Sequence, residues 1–277
     1  MPRLTKFEEY KDKYSDSYVL EKTDDGILLM RMHTEGGPVV WGRAYYDTCN
    51  LLGDLAGDRD LRVIIYTGTG DSFNANWRPS DEQIAQMPKT TEHRPGQTPE
   101  FVEEMGWHGR NRHTNFLDID AIMIAAVNGP ATIHTELALM CDVVLASEDA
   151  YFQDGAHFLI NLSPGDGVQN IWPRVIGWNR FRYWQLMGQK LSAQKAQEWG
   201  AVNEVLPKDQ LLDRAWEIAR YLVRFSPMTL RHTRRTFVRE FKHAAQDDLF
   251  FGQYQELLGM AHVAPNFNLY DEGVLPG

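Results

Sequence analysis

Cysteine is scarce in this chain. Only Cys49 and Cys141 occur in 277 residues, far apart and in segments that read as helix or strand. They support neither a disulfide framework nor a cysteine-rich zinc site, and a reducing, cytoplasmic location is expected. Long apolar runs are missing too: no uninterrupted stretch reaches the roughly 18 residues of a membrane span, so no membrane partner is expected. The N-terminal MPRLTKFEEYKDKYSDSY is charged and lacks the apolar segment of a secretory signal. Basic blocks are absent as well. The formal charge is −10 and no run of five or more Lys/Arg occurs, which argues against nucleic acid as a partner.

What is present suits a large buried core, since 43% of the residues are hydrophobic. Residues 26–32 (GILLMRM), 61–67 (LRVIIYT), 122–127 (IMIAAV) and 143–146 are short apolar runs that read as strands. Residues 43–55 carry a helical stripe of Ala44, Cys49, Leu51, Leu52 and Leu55, giving a β–α–β order and a mostly parallel sheet. Residues 80–97, with Pro88, Pro95 and Gly96, are expected to form an exposed loop that shapes a pocket. Residues 136–140 read as a short helix. Beyond residue 179 the patterns become helical and amphipathic, over 180–187, 192–199, 210–225 and 227–258. The chain divides into a core, 1–207, and a helical region, 208–277. No internal repeat stands out.

Three further collinear passages accompany AAVNGPATIHTELALMCDVVLAS at residues 125–147. They are VIIYTGTGDSFNAN at 63–76, the long segment 152–207 beginning FQDGAHF, and FSPMTLRHTRR at 225–235. Together they resemble the crotonase (enoyl-CoA hydratase/isomerase) superfamily over nearly the whole chain. The resemblance implies an α/β fold with a ββα spiral core and a C-terminal helical oligomerisation region. It also implies homotrimers or dimers of trimers, and paired backbone N–H groups that stabilise an enolate. Fold alone does not settle the reaction.

Departures from the common pattern are informative. Where common members carry an Ala-Gly-Ala-Asp-like run, this chain has Ala75-Asn76-Trp77-Arg78, and where they carry three glycines it has Thr132-Ile133-His134-Thr135 before Glu136. A tight backbone cradle benefits from residues without Cβ, so side chains are expected to take over the donor role. HTEG followed by Trp41, VNGP followed by His134, FQDG followed by His157, and PGDG containing Asp166 resemble the subgroup of β-diketone hydrolases typified by 6-oxocamphor hydrolase. That subgroup implies hydrolysis of a carbon–carbon bond in a cyclic, and in particular bicyclic, β-diketone substrate to give a keto acid.

Such a reaction needs an activated water, a stabilised oxyanion and a home for the departing enolate, with no metal or organic cofactor required. His157 is the candidate base, because imidazole titrates near neutrality. Asp166, nine residues on, can return through Pro164-Gly165 to orient it. His134 and Trp41 are candidate donors to carbonyl and enolate oxygens. Glu256 lines up with a subgroup glutamate that orders water and imidazole, from its own or a neighbouring subunit. Trp77 is a candidate wall of the substrate pocket.

Plainer readings exist for each. Pro-Gly-Asp-Gly alone is an ordinary turn, Trp41 a buried aromatic with its N–H on a carbonyl, and Glu256 a solvated charge. Glu136 reads as structural, and His33, His93, His108, His113, His232, His243 and His262 as core or surface histidines. The competing functions are an acyl-CoA hydratase or hydrolase and a non-catalytic oligomeric interaction protein. The lost glycines count against the first. The joint presence of His134, His157 and Asp166 counts against the second.

Overall fold

A computed structural model describes residues 4–75 and 99–262. Its main sheet has six strands. Strand β1 (Tyr18–Lys22) returns antiparallel into β2 (Ile27–Met32). The turn between them needs Gly26, whose φ is 87° and whose Cβ position lies 2.6 Å from the Asp60 carbonyl oxygen. All later pairings are parallel: β2 with β3 (Val63–Thr67), β3 with β4 (Ile122–Val127), β4 with β5 (Val143–Ser147), and β5 with β8 (Glu204–Leu206). A second sheet pairs β6 (Tyr151–Phe152) with β7 (Leu191–Ser192). The expected β–α–β order is present, with helix Trp41–Gly57 between β2 and β3.

Successive strand residues point to opposite faces, and here both faces are buried. Ile27, Leu29, Val63, Ile65, Ile122 and Ile124 enter one layer, which helix Lys208–Leu222 closes through Leu211, Ala215 and Ala219. Leu28, Met30, Ile64, Tyr66, Met123 and Ala125 enter the other, larger layer. Burial on both faces is why these strands read as continuous apolar runs.

Two features differ from the sequence reading. The pattern over 227–258 is not one helix but three, Pro227–Phe237, Arg239–Asp247 and Leu249–His262. Its joints fall at Val238 and Asp248, neither a glycine nor a proline, so composition does not mark them. Helix Pro99–Asp118, which the sequence reading did not single out, packs against both helix Trp41–Gly57 and helix Leu249–His262. Arg234 ties the C-terminal helices to the core. Fully buried, it donates to the Ile119 carbonyl at 2.8 Å and pairs with Asp142 at 2.6 Å. The expected loop at 80–97 and Trp77 lie outside the described residues. No helix among the described residues is long and apolar enough to cross a membrane.

Candidate active site

The loops that follow β3 and β4 are locked together. Asn128 accepts the Gly68 N–H at 3.0 Å and donates to the carbonyls of Gly70 and Ser72 at 3.0 and 3.1 Å. Gly129 is required beside it, because a Cβ there would lie 2.2 Å from the Asp71 carbonyl oxygen. Ala131 bridges to both Asn74 and Phe152, and Asn74 donates to the Ile133 carbonyl. The chain held in this way delivers His134 in the left-handed region, φ 45°, with its ring buried. A non-glycine residue there is uncommon and costs backbone energy, a feature concentrated at functional sites.

Around His134 and His157 lies a continuous network of charged groups. His157 Nδ1 is 2.7 Å from Asp154 Oδ1, and Gln185 donates to the other Asp154 oxygen. His157 Nε2 is 3.1 Å from Asp166 Oδ1 and 3.7 Å from Glu256 Oε1. The second Asp166 oxygen lies 3.3 Å from His134 Nδ1 and 3.6 Å from Arg112 Nη2, so Asp166 links the two imidazoles. His134 Nδ1 also lies 3.0 Å from Glu136 Oε1, which stands 3.4 Å from His113 Nε2. The indole of Trp41 lies beside the His134 ring, centroids 4.9 Å apart, and its buried Nε1–H has no partner among the described residues.

Each proton affinity follows from these neighbours. Burial disfavours the charged form of His157, yet Asp154 and Asp166 together push its pKa well above the ordinary imidazole value. Burial likewise works against the Asp166 carboxylate, but His134, His157 and Arg112 hold it well below the usual range. Burial and the neighbouring Asp166 charge push Glu256 up to about 7, against the pull of His157. His134 is lowered, by burial first and by Arg112 second. Glu136 resists burial through the His134 and His113 rings and sits at about 2.

Five of the six residues singled out from sequence therefore converge: Trp41, His134, His157, Asp166 and Glu256. Trp77 is the sixth. The sequence reading missed Asp154, although its position three residues before His157 was visible. Glu136, read from sequence as structural, and His113, read as a core or surface histidine, both belong to the network, as does Arg112, which no sequence pattern marks. A small cavity opens at Asp166 and Glu256, lined further by Tyr45, Met105, Gln253 and Leu257. The larger surface groove by Arg174, Arg239, His243 and Asp247 shares no residue with this network. His157, Asp166 and Glu256 present ligand atoms within 4.8 Å of one another, so by donor type they could hold a divalent cation.

A model of the enoyl-CoA hydratase/isomerase family matches residues 44–253. Among solved structures, a β-diketone hydrolase from the cyanobacterium Anabaena, bound to (S)-3-oxocyclohexyl acetic acid, is 35% identical. It has a TM-score of 0.84 and covers 92% of this chain and 97% of that one. An enoyl-CoA hydratase from Mycobacterium avium subsp. paratuberculosis shares the fold at 19% identity and a TM-score of 0.71, covering 94% and 98% of the two chains. Carnitinyl-CoA dehydratase of Salmonella enteritidis is 32% identical over 175 residues, and the match spans 62% of this chain and 62% of that relative's length. The family match takes in the parallel strands β3, β4, β5 and β8, the Asn128–Gly129 turn and the residues around His134 and His157, and the chain belongs to the enoyl-CoA hydratase/isomerase family, the crotonase superfamily.

Proposed function

We propose that this protein is a hydrolase that opens cyclic, in particular bicyclic, β-diketones by retro-Claisen cleavage of a carbon–carbon bond, giving a keto acid. The observation that carries this reading is the pairing of side-chain donors with a proton-exchanging group. The Trp41 indole, whose N–H has no partner among the described residues, and the His134 imidazole stand together, and Asp166 joins His134 to His157, which lies 3.7 Å from Glu256. The likeness to a β-diketone hydrolase at 35% identity supports the same reading.

In the proposed reaction, a water held against Glu256 and His157 adds through its oxygen to one carbonyl carbon, and its proton passes to the carboxylate of Glu256. The carbonyl electron pair moves onto oxygen, where the N–H groups of His134 and Trp41 stabilise it. Each such donor is typically worth about 10² to 10³ in turnover. Collapse of the oxyanion breaks the carbon–carbon bond, and its electron pair becomes the enolate of the second carbonyl. The proton taken from water then goes to the enolate carbon, leaving a ketone and a carboxylic acid.

This assignment revises the expectation that His157 itself is the base. An imidazole clamped by Asp154 on Nδ1 and Asp166 on Nε2 stays protonated at neutrality, whereas Glu256 at about 7 has the affinity the task needs. His157 then serves as a fixed cation beside the water-binding corner, with its two ring nitrogens held by Asp154 and Asp166. The reaction needs no metal.

A second reading, acyl-CoA chemistry, draws support from the carnitinyl-CoA dehydratase relative. One assay separates them: the purified protein is mixed with a bicyclic 1,3-diketone, and loss of diketone absorbance and appearance of a keto acid are followed. We expect turnover, and expect His157→Ala and Asp166→Asn to lose most of it with the oligomer intact. No turnover between roughly pH 6 and 9, with clear activity on crotonyl-CoA, would overturn the diketone reading. Silence on both substrates would favour a non-catalytic scaffold.

A further inference from the structure

Gln253 stands one helical turn before Glu256, on the same inward side of helix Leu249–His262, and both side chains are buried. The two line the small cavity together with Asp166, Tyr45, Met105 and Leu257, and the cavity measures about 20 Å³. One water needs about 10–15 Å³ of such space, so there is room for a single water and far too little for a diketone. The Nε2 end of Gln253 is wedged against helix Pro99–Asp118, where a Cβ on Gly109 would lie 2.2 Å from it. The Oε1 end has no hydrogen-bond partner among the described residues. Burying an amide oxygen unpaired is costly, and a methionine would fill the same slot without that cost.

A water that adds to a carbonyl carbon has two hydrogens to place. In the reaction proposed above one of them passes to Glu256. The other stays on the oxygen and ends in the carboxylic acid. Unless that second hydrogen is bonded, the molecule turns freely about its contact with Glu256, and its lone pair keeps to no one direction. The other polar side chains of the cavity are engaged. Asp166 has one oxygen on His157 and the second on His134 and Arg112, and the Tyr45 hydroxyl donates to the Met105 carbonyl at 3.4 Å. Gln253 Oε1 is the acceptor left over. An amide oxygen accepts a hydrogen bond without taking the proton, so it can hold one hydrogen while Glu256 removes the other.

We propose that Gln253 is a positioning residue for the nucleophilic water: its Oε1 accepts the hydrogen that is not transferred, and so aims the oxygen lone pair at the substrate carbonyl. The proposal rests on the hydrolytic reaction given above, but the water can be seen with no substrate present. A crystal structure of the intact chain, at a resolution that orders solvent, should show one water within hydrogen-bond distance of both Gln253 Oε1 and a Glu256 carboxylate oxygen. Gln253→Met, which keeps the length of the side chain and removes the acceptor, should lose or displace that water while Glu256 and His157 stay in place. With a bicyclic 1,3-diketone its kcat should fall by about 10²-fold, the effect of misplacing a reacting group by about 1 Å, with KM changed far less.

A wild-type structure in which no water bridges Gln253 and Glu256 overturns the proposal, as does a Gln253→Met enzyme that keeps the wild-type kcat or loses rate through KM alone. Should Gln253→Met fail to fold, the wild-type structure decides alone. Diketone turnover without the bridging water would sink only this inference. The bridging water without diketone turnover would sink only the proposed function.

Discussion

Glu256 sits with a buried carboxyl beside an ionised Asp166, which favours its protonated form and raises its pKa to about 7. The folded-state value lies above the ordinary carboxylate value. Its contribution to stability is therefore complete at low pH and is lost as pH rises through about 7. In the proposed reaction ionisation is also what makes Glu256 a base, so activity should rise over the range in which this contribution fades. Glu256→Gln is expected to lower kcat by roughly 10²- to 10⁴-fold and to remove the rise in kcat/KM with pH. It should also melt higher than the wild type at about pH 8 and close to it at about pH 5. Thermal melts at the two pH values and a pH–rate profile check this. A profile whose rising limb survives in Glu256→Gln would assign that limb to another group.

How much of the site is legible from sequence depends on how each group arrives. His134, His157 and Asp166 sit inside short motifs, and Asp154 lies one turn from His157, so local spacing carries them. Arg112 and His113 come from a separate helix, and only the fold brings them to Glu136 and Asp166. No periodicity marks a residue whose partners are distant in the chain. The exchange of roles proposed for His157 and Glu256 rests on which imidazole nitrogen meets which carboxylate, and no spacing in the sequence carries that.

At the scale of elements, the loop carrying Asp166 and the helix carrying Glu256 touch backbone to backbone. A Cβ on Gly165 would lie 2.2 Å from the Gly252 carbonyl oxygen and 2.6 Å from Glu256 Cβ. Helix Leu249–His262 thus rests directly on that loop, and the Glu256–His157 separation is set there. Gly165→Ala should force the two apart. Overpacking of this kind costs about 1–3 kcal/mol, and a displacement of about 1 Å at a reacting group costs about 10²-fold in rate. We expect a folded protein by circular dichroism, a modest loss of Tm and a kcat lowered on the order of tens- to a hundredfold. Wild-type turnover in the folded variant would show that the contact does not position Glu256. Strands β2 to β5 are legible because both sheet faces are buried there and their residues are mostly apolar, whereas β1 and β8 are half-exposed and β6 and β7 have two residues each, so no apolar run marks them. The joints at Val238 and Asp248 were not, because each keeps the right-handed helical conformation and changes only the direction of the chain.

At the scale of the molecule, the same helix has two faces with opposite needs. Gln253 and Glu256 turn inward and are buried, while Phe251, Tyr254 and Leu258 recur at helical spacing on the outside, with Phe251 70% and Leu258 67% exposed. Trp107, Phe237 and Met228 add further exposed apolar surface. An apolar stripe on a helix whose other side supplies a buried carboxylate is best stabilised by another subunit, in keeping with the proposed homotrimer or dimer of trimers. Covering that stripe would also hold Glu256 against His157, so assembly and activity should fail together. Size-exclusion chromatography with light scattering should place the wild type at three or six times the subunit mass. Phe251→Glu combined with Leu258→Glu should shift it toward monomer, with turnover falling in proportion to the monomer fraction and recovering where high protein concentration restores the oligomer. A monomeric variant of undiminished kcat would separate the site from the assembly, leaving the contact between Gly165 and Gly252 as sufficient support for Glu256.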